Sequence, residues 1–562
     1  MSELALGNLT VDPKTNRPRM TSMTSDIDTE ALTQSLYEAK KLPALRIEEK
    51  IEVNDAKVKA YEELGGKLRE MQSALDGLRN PPGSAGADDN LFERKAAYFS
   101  SDTTTQPGTL LGVQTTNRAD LGSFDLVVDD LATAHKVMSG AFASADETVG
   151  PGAAGTLTIG LGSGPTADVA VGADMTAYDL RDAINVEAET TGVDASVLKV
   201  ADDDYRLVLA GRATGADNGI QLSGGGSLSG ELRTETLSTP SDAHLQVDGV
   251  TVSRADNTIN DVMGGLTLDL YQADPGTTVT VDVESDFTQA KEALQGFVDA
   301  YNGLRDFIDG QRAVNDEGEV DRLTSPLFGD ALMRTLGQNL ASDLGDAVDG
   351  LAADAPSTLA AIGVEMGEGG RLSLDHAELD SALLDDPRAV RDVFEFRAET
   401  GDPSLAVYAH PPRLPATDFT VTKSAGAWQL DDGTTRLTLE QDGNALTAPE
   451  GSAYEGLTLF WTGSDDPSGP IDVSATQGVA DRLYGTIARA TDATDGTVQQ
   501  AIRESDSQIE RWREDIERIE TRAEDHRLML VDKFARLERA LSLSESMLNQ
   551  VRAQTDAMTA DP

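Results

Sequence analysis

The sequence predicts an α+β multidomain protein: a helical coiled-coil stalk built from both chain termini, with antiparallel β domains inserted between them. Three observations predict this. Apolar residues recur at helical spacing near both ends of the chain, alternating Val, Ile, Leu and Thr fill its middle, and no Gly or Pro falls between Val498 and Ala557.

The last helix organises the rest. Residues 498–553 read as one helix, roughly 80 Å long at about 1.5 Å per residue. Ile502, Ile509 and Ile516 stand seven apart, and Leu530, Phe534, Leu537, Leu541, Leu548 and Val551 continue the stripe. Such a stripe needs a partner along its length. The half from Ile502 to Ala523 is crowded with Glu and Arg and reads as a coiled coil within the molecule. The half after Leu528 is more apolar and reads as a surface made to meet something else. The alternative is a coiled coil with no further role.

In chain order, 1–24 is polar and aperiodic and is expected to be disordered. Helical patterning starts near Asp26 with Ile27, Leu32, Leu36 and Leu42, and Pro43 is expected to break or kink it. A second run holds Ile47, Ile51, Val58, Tyr61, Leu68, Met71, Leu75 and Leu78, ending before Pro81 and Pro82. Its heptad-like spacing makes 47–78 the expected partner of 502–523.

From 96 to 283 the period changes to two. Strand candidates are 122–128, 155–159, 205–209, 244–250 and 277–283, with one short helix over 177–189. Helices return over 287–308, 331–344 and 375–394. A second β-like insert spans about 403–473, with a hairpin expected around Asp432 and Gly433. From Gly478 the pattern is helical to the end. The predicted division is a disordered extension (1–24), terminal leg helices (25–46 with 524–562) and a helical stalk domain (47–95 with 287–399 and 477–523). A β domain (96–145 with 237–286), an inserted β domain (146–236) and an extra β-rich insert (400–476) complete it.

Composition narrows the partners. Formal charge is -51, from 97 acidic and 46 basic residues. That surface repels nucleic acid and anionic membranes, so neither is an expected partner. A saline habitat is one explanation of the acid excess. There are no cysteines, which excludes disulfides, thiolate metal sites and cysteine nucleophiles. Residues 1–20 lack the basic start and apolar core of a Sec signal peptide, so secretion is expected to use a route without a cleaved signal.

Chemical motifs are not found. His135, His244, His376, His410 and His526 show no metal-ligand spacing. Gly160, Gly162 and Gly164 precede Pro165 without the Lys and Ser/Thr of a phosphate loop and read as a turn. The offsets of Asp202, Asp203 and Asp204 do not fit a calcium loop. No catalytic residue, cofactor or metal is expected.

Several stretches taken together resemble one family, the flagellar hook-associated protein 2 or filament cap family. They are 25–28 (SDID) followed by Leu42 and Pro43, Gly122 to Phe124 with 130–134 (DLATA), and 179–185 (DLRDAIN) with 192–196, 205–209 and 213–216. Further on come 247–250 with Arg254, 257–259 and 265–268; 297–302 (FVDAYN); 359–363; 371–375; 386–394; and 534–538 with 541–548. The resemblance covers nearly the whole chain except 1–24 and the region near 400–476. It implies a structural cap, not an enzyme, at the distal tip of the bacterial flagellum. The implied assembly is a ring-like homo-oligomer, often a pentamer, under which exported flagellin folds and inserts. It also implies contact with the hook–filament junction protein, an export chaperone on the C-terminal helix, and secretion through the flagellar type III apparatus. The leg residues expected to bind the filament are Ile27, Leu32, Leu36, Leu530, Phe534, Leu537, Leu541 and Leu548. Those expected in the intramolecular coiled coil are Ile47, Ile51, Val58, Tyr61, Leu68, Ile502, Ile509 and Ile516. Two other readings stay open: an adhesin whose outward β domains bind glycans, with Trp428 and Trp461 as stacking candidates unless they are hairpin core, and a tip protein of a phage or secretion apparatus.

Overall fold

Pro43 lies inside the first long helix instead of ending it. The structure is a computed structural model describing residues 29–80, 90–144, 146–149, 155–224, 234–315 and 317–559, together with the backbone of 9–11 and 18–20. Helix α1 spans Thr29–Asp76. An internal proline forgoes one backbone hydrogen bond and crowds the preceding turn, at a cost of about 3 kcal/mol. Packing holds the helix on both sides of it: Ala44 is fully buried, and Lys41 pairs with Glu520 at 2.5 Å. Within 1–24, β1 (Leu9–Val11) pairs antiparallel with β2 (Pro18–Met20), against the expectation of disorder. The remainder of that segment, and Ile27, lie outside the described residues.

Residues 83–292 form one unit. Strands β3 (Lys95–Ser101), β4 (Leu111–Thr115), β5 (Gly122–Asp130) and β6 (Ala134–Met138) are followed by β7 (Gly155–Leu161) and β8 (Thr166–Val171). Helix α2 (Ala177–Val186) precedes β9 (Val193–Ala201), β10 (Asp204–Thr214), β11 (Ile220–Gly224) and β12 (Glu235–Ser238). The unit ends with β13 (Ala243–Val247), β14 (Val250–Arg254), β15 (Thr258–Ile259), β16 (Leu266–Leu270) and β17 (Val279–Ser285). A five-stranded sheet ordered β14-β13-β5-β17-β3 and a three-stranded sheet β15-β16-β4 share one core. Alternation sets its face: Val279, Val281 and Val283 point in from β17, and Leu266, Leu268 and Leu270 from β16. A second core lies among the sheets β12-β6-β10-β9 and β11-β7-β8 and helix α2.

Two boundaries differ from the sequence reading. Residues 244–250 are not one strand: Asp248 and Gly249, both at positive φ, turn β13 into β14. That is the backbone a two-residue hairpin loop requires, and Asp-Gly suits it. Strand β6 pairs with β10 and β12, so it belongs to the sheet of the insert rather than to the 96–145 segment.

Residues 1–82 and 293–562 form the other unit. After α1 it contains most of α3 (Thr288–Gly310), then α4 (Ala331–Gly345), the hairpin β18 (Val364–Met366) and β19 (Leu372–Leu374), α5 (His376–Asp385) and α6 (Pro387–Phe394). Asp386 splits the predicted 375–394 helix, since its side chain caps α6 and Pro387 opens it. Eight strands follow: β20 (Phe396–Thr400), β21 (Leu405–Ala409), β22 (Asp418–Ser424), β23 (Ala427–Asp431), β24 (Arg436–Asp442), β25 (Ala445–Thr447), β26 (Thr458–Trp461) and β27 (Ile471–Gln477). They form one antiparallel sheet ordered β20-β27-β22-β23-β24-β25-β26-β21. Its outermost strands β20 and β21 lie beside each other, so the sheet curls around Phe419, Trp428, Leu439, Tyr454 and Trp461. Helix α7 (Val479–Thr491) and the 63-residue α8 (Thr497–Thr559) end the chain. They are separate because Asp492 accepts from the backbone of Thr494 and Asp495 and closes a turn.

Three asparagines perform the same task at three places. Asn185, after donating to Ala195 O at 2.9 Å, accepts from Ala195 N at 2.8 Å. Asn257 pairs in this way with Ala132, and Asn302 with Leu372. Each carboxamide supplies the donor and acceptor that a neighbouring strand would otherwise provide, and so satisfies a backbone pair inside a partly buried site. The amide is essential to this: Asn302→Ala leaves Leu372 with neither partner. It is expected to lower unfolding stability by about 1–3 kcal/mol in urea titration, and an unchanged midpoint would show that the pair contributes nothing.

Candidate assembly surface

Helices α1 and α8 lie antiparallel. Thr29 donates to Glu538 at 3.2 Å, Lys41 pairs with Glu520, Asn54 donates to the Ser505 carbonyl at 2.8 Å, and Gly65 faces Val498. Residue numbers rise along one helix as they fall along the other. Along this seam Ile509 and Tyr61 are buried, while Ile47, Ile51, Val58, Ile502 and Ile516 are half-buried. Tyr61 also donates to Asp330 at 2.7 Å, and burial, followed by that bond, pushes its phenol well above the ordinary range.

The partnership is shorter than the 47–78 range read from the sequence. Helix α8 begins at Thr497 beside Gly65, so Leu68 and the residues after it run past the start of α8. Helix α7 packs on α1 there, with Arg79 bonded to Asp481 and stacked on Tyr484. Leu68, Met71 and Leu75 are buried in this part of the core.

At the other end the cover stops. Leu530 and Phe534 are half-buried, but Leu537 is 50% exposed and every residue from Arg539 to Asp556 is exposed. Helix α8 therefore continues about 30 Å beyond the level of Thr29 at about 1.5 Å per residue. Leu541, Leu543, Met547, Leu548 and Val551 are bare along that length, and Leu32, Leu36, Leu42 and Leu45 are exposed on α1. Exposed large apolar side chains gathered at the paired helix ends make this a candidate interaction surface.

Charge distinguishes this region too. Helix α1 carries 10 acidic and 8 basic residues, and α8 carries 13 and 10, leaving formal charges of -2 and -3 in a chain of -51. The paired helices are nearly neutral, so they can approach other acidic copies or partners with little repulsion. The spacing of the apolar residues was visible in the sequence. Leu45 was missed because Pro43 suggested a helix end.

The remaining candidates fall elsewhere. Trp428 and Trp461 lie inside the curled sheet, 5.3 Å apart between ring centroids, and present no stacking face to solvent. His135 accepts from Ile220 N at 2.8 Å, and no group of metal-ligating side chains occurs among the described residues.

The family model described as flagellar hook-associated protein 2 C-terminus matches 240–546, that of the N-terminus matches 25–135, and the flagellin hook IN motif matches 156–213. The chain is 28% identical over 332 residues to the B-type flagellar hook-associated protein 2 of Pseudomonas aeruginosa, covering 55% of this chain and 68% of that protein. It is 32% identical over 235 residues to the Salmonella typhimurium flagellar hook-associated protein 2, covering 39% and 49%. A crystal structure of the D1-D2-D3 domains of the Escherichia coli flagellar cap protein FliD aligns with TM-score 0.49 at 28% identity, over 59% of this chain and 89% of that one.

If the strip is a surface and not a core, its residues contribute little to the isolated fold. Leu541→Ala is expected to change unfolding stability by less than about 0.5 kcal/mol. Leu64→Ala, at a fully buried site on α1, is expected to lose about 2–5 kcal/mol. Urea midpoints of the two variants make the comparison.

Proposed function

Since the chain belongs to the flagellar hook-associated protein 2 family, we propose that it caps the distal end of a bacterial flagellar filament and promotes folding and insertion of exported flagellin. The observation that carries this reading is the uncovered, nearly neutral apolar strip at the paired ends of α1 and α8. The division we favour makes 25–46 and 524–562 a docking leg, and 47–95 with 287–399 and 477–523 a coiled-coil stalk that supports it.

The physics suits a cap that must move as subunits add beneath it. Each fully buried Leu on the strip contributes roughly 1.5–3 kcal/mol. Ordering an exposed helical end against the filament offsets part of that gain. Several leucines together then give binding strong enough to hold and weak enough to step. The same strip, exposed before assembly, is the natural target of an export chaperone, and flagellar type III export would deliver the chain to the tip. There the cap would work as a ring-like homo-oligomer, with the hook–filament junction and then flagellin as its neighbours.

Adhesion through Trp428 and Trp461 loses its support, because both rings are enclosed in the curled sheet. A phage or secretion-apparatus tip shares the helical-ends layout but is not favoured by the family match.

Deletion of the gene is expected to abolish filaments and release monomeric flagellin into the medium. Complementation with Leu541→Ser and Leu548→Ser together is expected to leave the secreted protein folded yet lower filament number at least tenfold, about the effect of losing 1.4 kcal/mol or more of docking energy. Filaments of normal number and length in the deletion strain would overturn the cap reading.

A further inference from the structure

Beside the seam between α1 and α8 the two helices leave a trough of about 660 Å³. On α1 it is lined by Asn54, Lys57 and Tyr61, spaced three and four residues apart and so on one face. On α8 it is lined by Arg503, Ser507 and Arg511, each four residues from the next. Ala501 and Ser505, also lining it, are half-buried and small, which leaves the space open. Asn54 donates to the Ser505 carbonyl at 2.8 Å and Tyr61 to Asp330 at 2.7 Å, so the α1 side is held in place.

The charge of this trough runs against that of the chain. Lys57, Arg503 and Arg511 line it with one carboxylate, Glu504, in a molecule of formal charge -51. Arg503 donates from Nη2 to the Thr494 carbonyl at 2.9 Å, and Arg511 from Nη2 to Gln508 Oε1 at 2.7 Å. Both acceptors are neutral, so each guanidinium keeps its charge and has further N–H donors to offer. Among the described residues none of the three cations is ion-paired. Further along the same helix pair the pattern is different: Lys41 pairs with Glu520, and Arg527 with Glu524 at 2.9 Å.

We propose that this trough binds an acidic peptide segment of a separate polypeptide. Three cations with donors to spare suit a few carboxylates set close together. They can balance one short acidic segment but not the -51 of a whole second copy. Residues 501–511 span about 15 Å, the length of about ten helical residues. Arg511 lies about 45 Å along α8 from Leu541, so a partner held here leaves the bare strip free.

The test is fluorescence anisotropy of a dye-labelled oligoglutamate of about ten residues, titrated with the full chain. Binding is expected at roughly 20 mM salt and about tenfold weaker at roughly 300 mM, because exposed charges are screened. Lys57→Glu with Arg511→Glu is expected to weaken binding at least about tenfold. Lys57→Gln with Arg511→Gln, which adds no repulsion, is expected to weaken it at least about threefold. Arg539→Glu with Arg552→Glu makes the same change in net charge on the bare end of α8 and is expected to alter binding less than about twofold. Circular dichroism checks that all three variants keep the wild-type helix content. No binding by the wild-type chain at low salt would overturn the proposal, as would equal weakening by the two Glu pairs or unchanged binding in the Gln pair. Sedimentation of the chain alone adds a further check: self-association abolished by the Lys57 and Arg511 reversal alone would put a second copy in the trough and overturn the assignment to a separate partner.

Discussion

A helix with an apolar stripe along one face gains packing stabilisation only where that stripe is covered. In α8 the cover is α1, and its extent divides the helix in two. Between Val498 and Glu538 the stripe meets α1 in antiparallel register, with Lys41–Glu520 and Asn54–Ser505 fixing the alignment. Beyond Glu538 the chain has supplied no cover among its described residues. The internal proline of α1, the buried Tyr61 and the bare Leu541 and Leu548 follow from where that pairing begins and ends.

The rest of the fold closes its polar backbone with side chains as well as strands. Asn185, Asn257 and Asn302 each pair both backbone groups of one residue, and Gln477 does similar work between Pro412 and Leu414. These amides sit where a ladder stops or a loop must be held. A carboxamide offers one donor and one acceptor side by side, as a peptide group does, so it can finish a ladder without adding a strand. Asp481 plays a comparable role with charge, collecting Arg79, Gln477 and His410 around one buried carboxylate.

Charge is distributed to match these roles. A chain at -51 repels its own copies, and self-association needs a surface where that repulsion is small. Helices α1 and α8 provide one, since their Lys and Arg nearly balance their Asp and Glu. The acid excess lies outside that helix pair.

Local pattern made much of this legible beforehand. The seven-residue spacing of Ile502, Ile509 and Ile516, the alternation of Val279, Val281 and Val283, and the Asp432–Gly433 turn each have a period or a backbone requirement confined to a few residues. The family motifs around Asn185, Asn257 and Asn302 were recognisable as strings, though not what their amides do. Pro43 misled because its cost is local, while the contacts of the helix around it, the Lys41–Glu520 pair among them, come from residues hundreds of positions away. The division of α8 at Glu538 is likewise tertiary, because it depends on where another helix begins. So is the Asp481 cluster, whose members at 79, 410, 477 and 481 share no spacing. By itself the sequence determined which faces are apolar and where the chain can turn, because those properties reside in neighbouring residues. Which apolar faces are covered, and which buried charges meet, only the tertiary structure decided, because both depend on segments that come together in space alone.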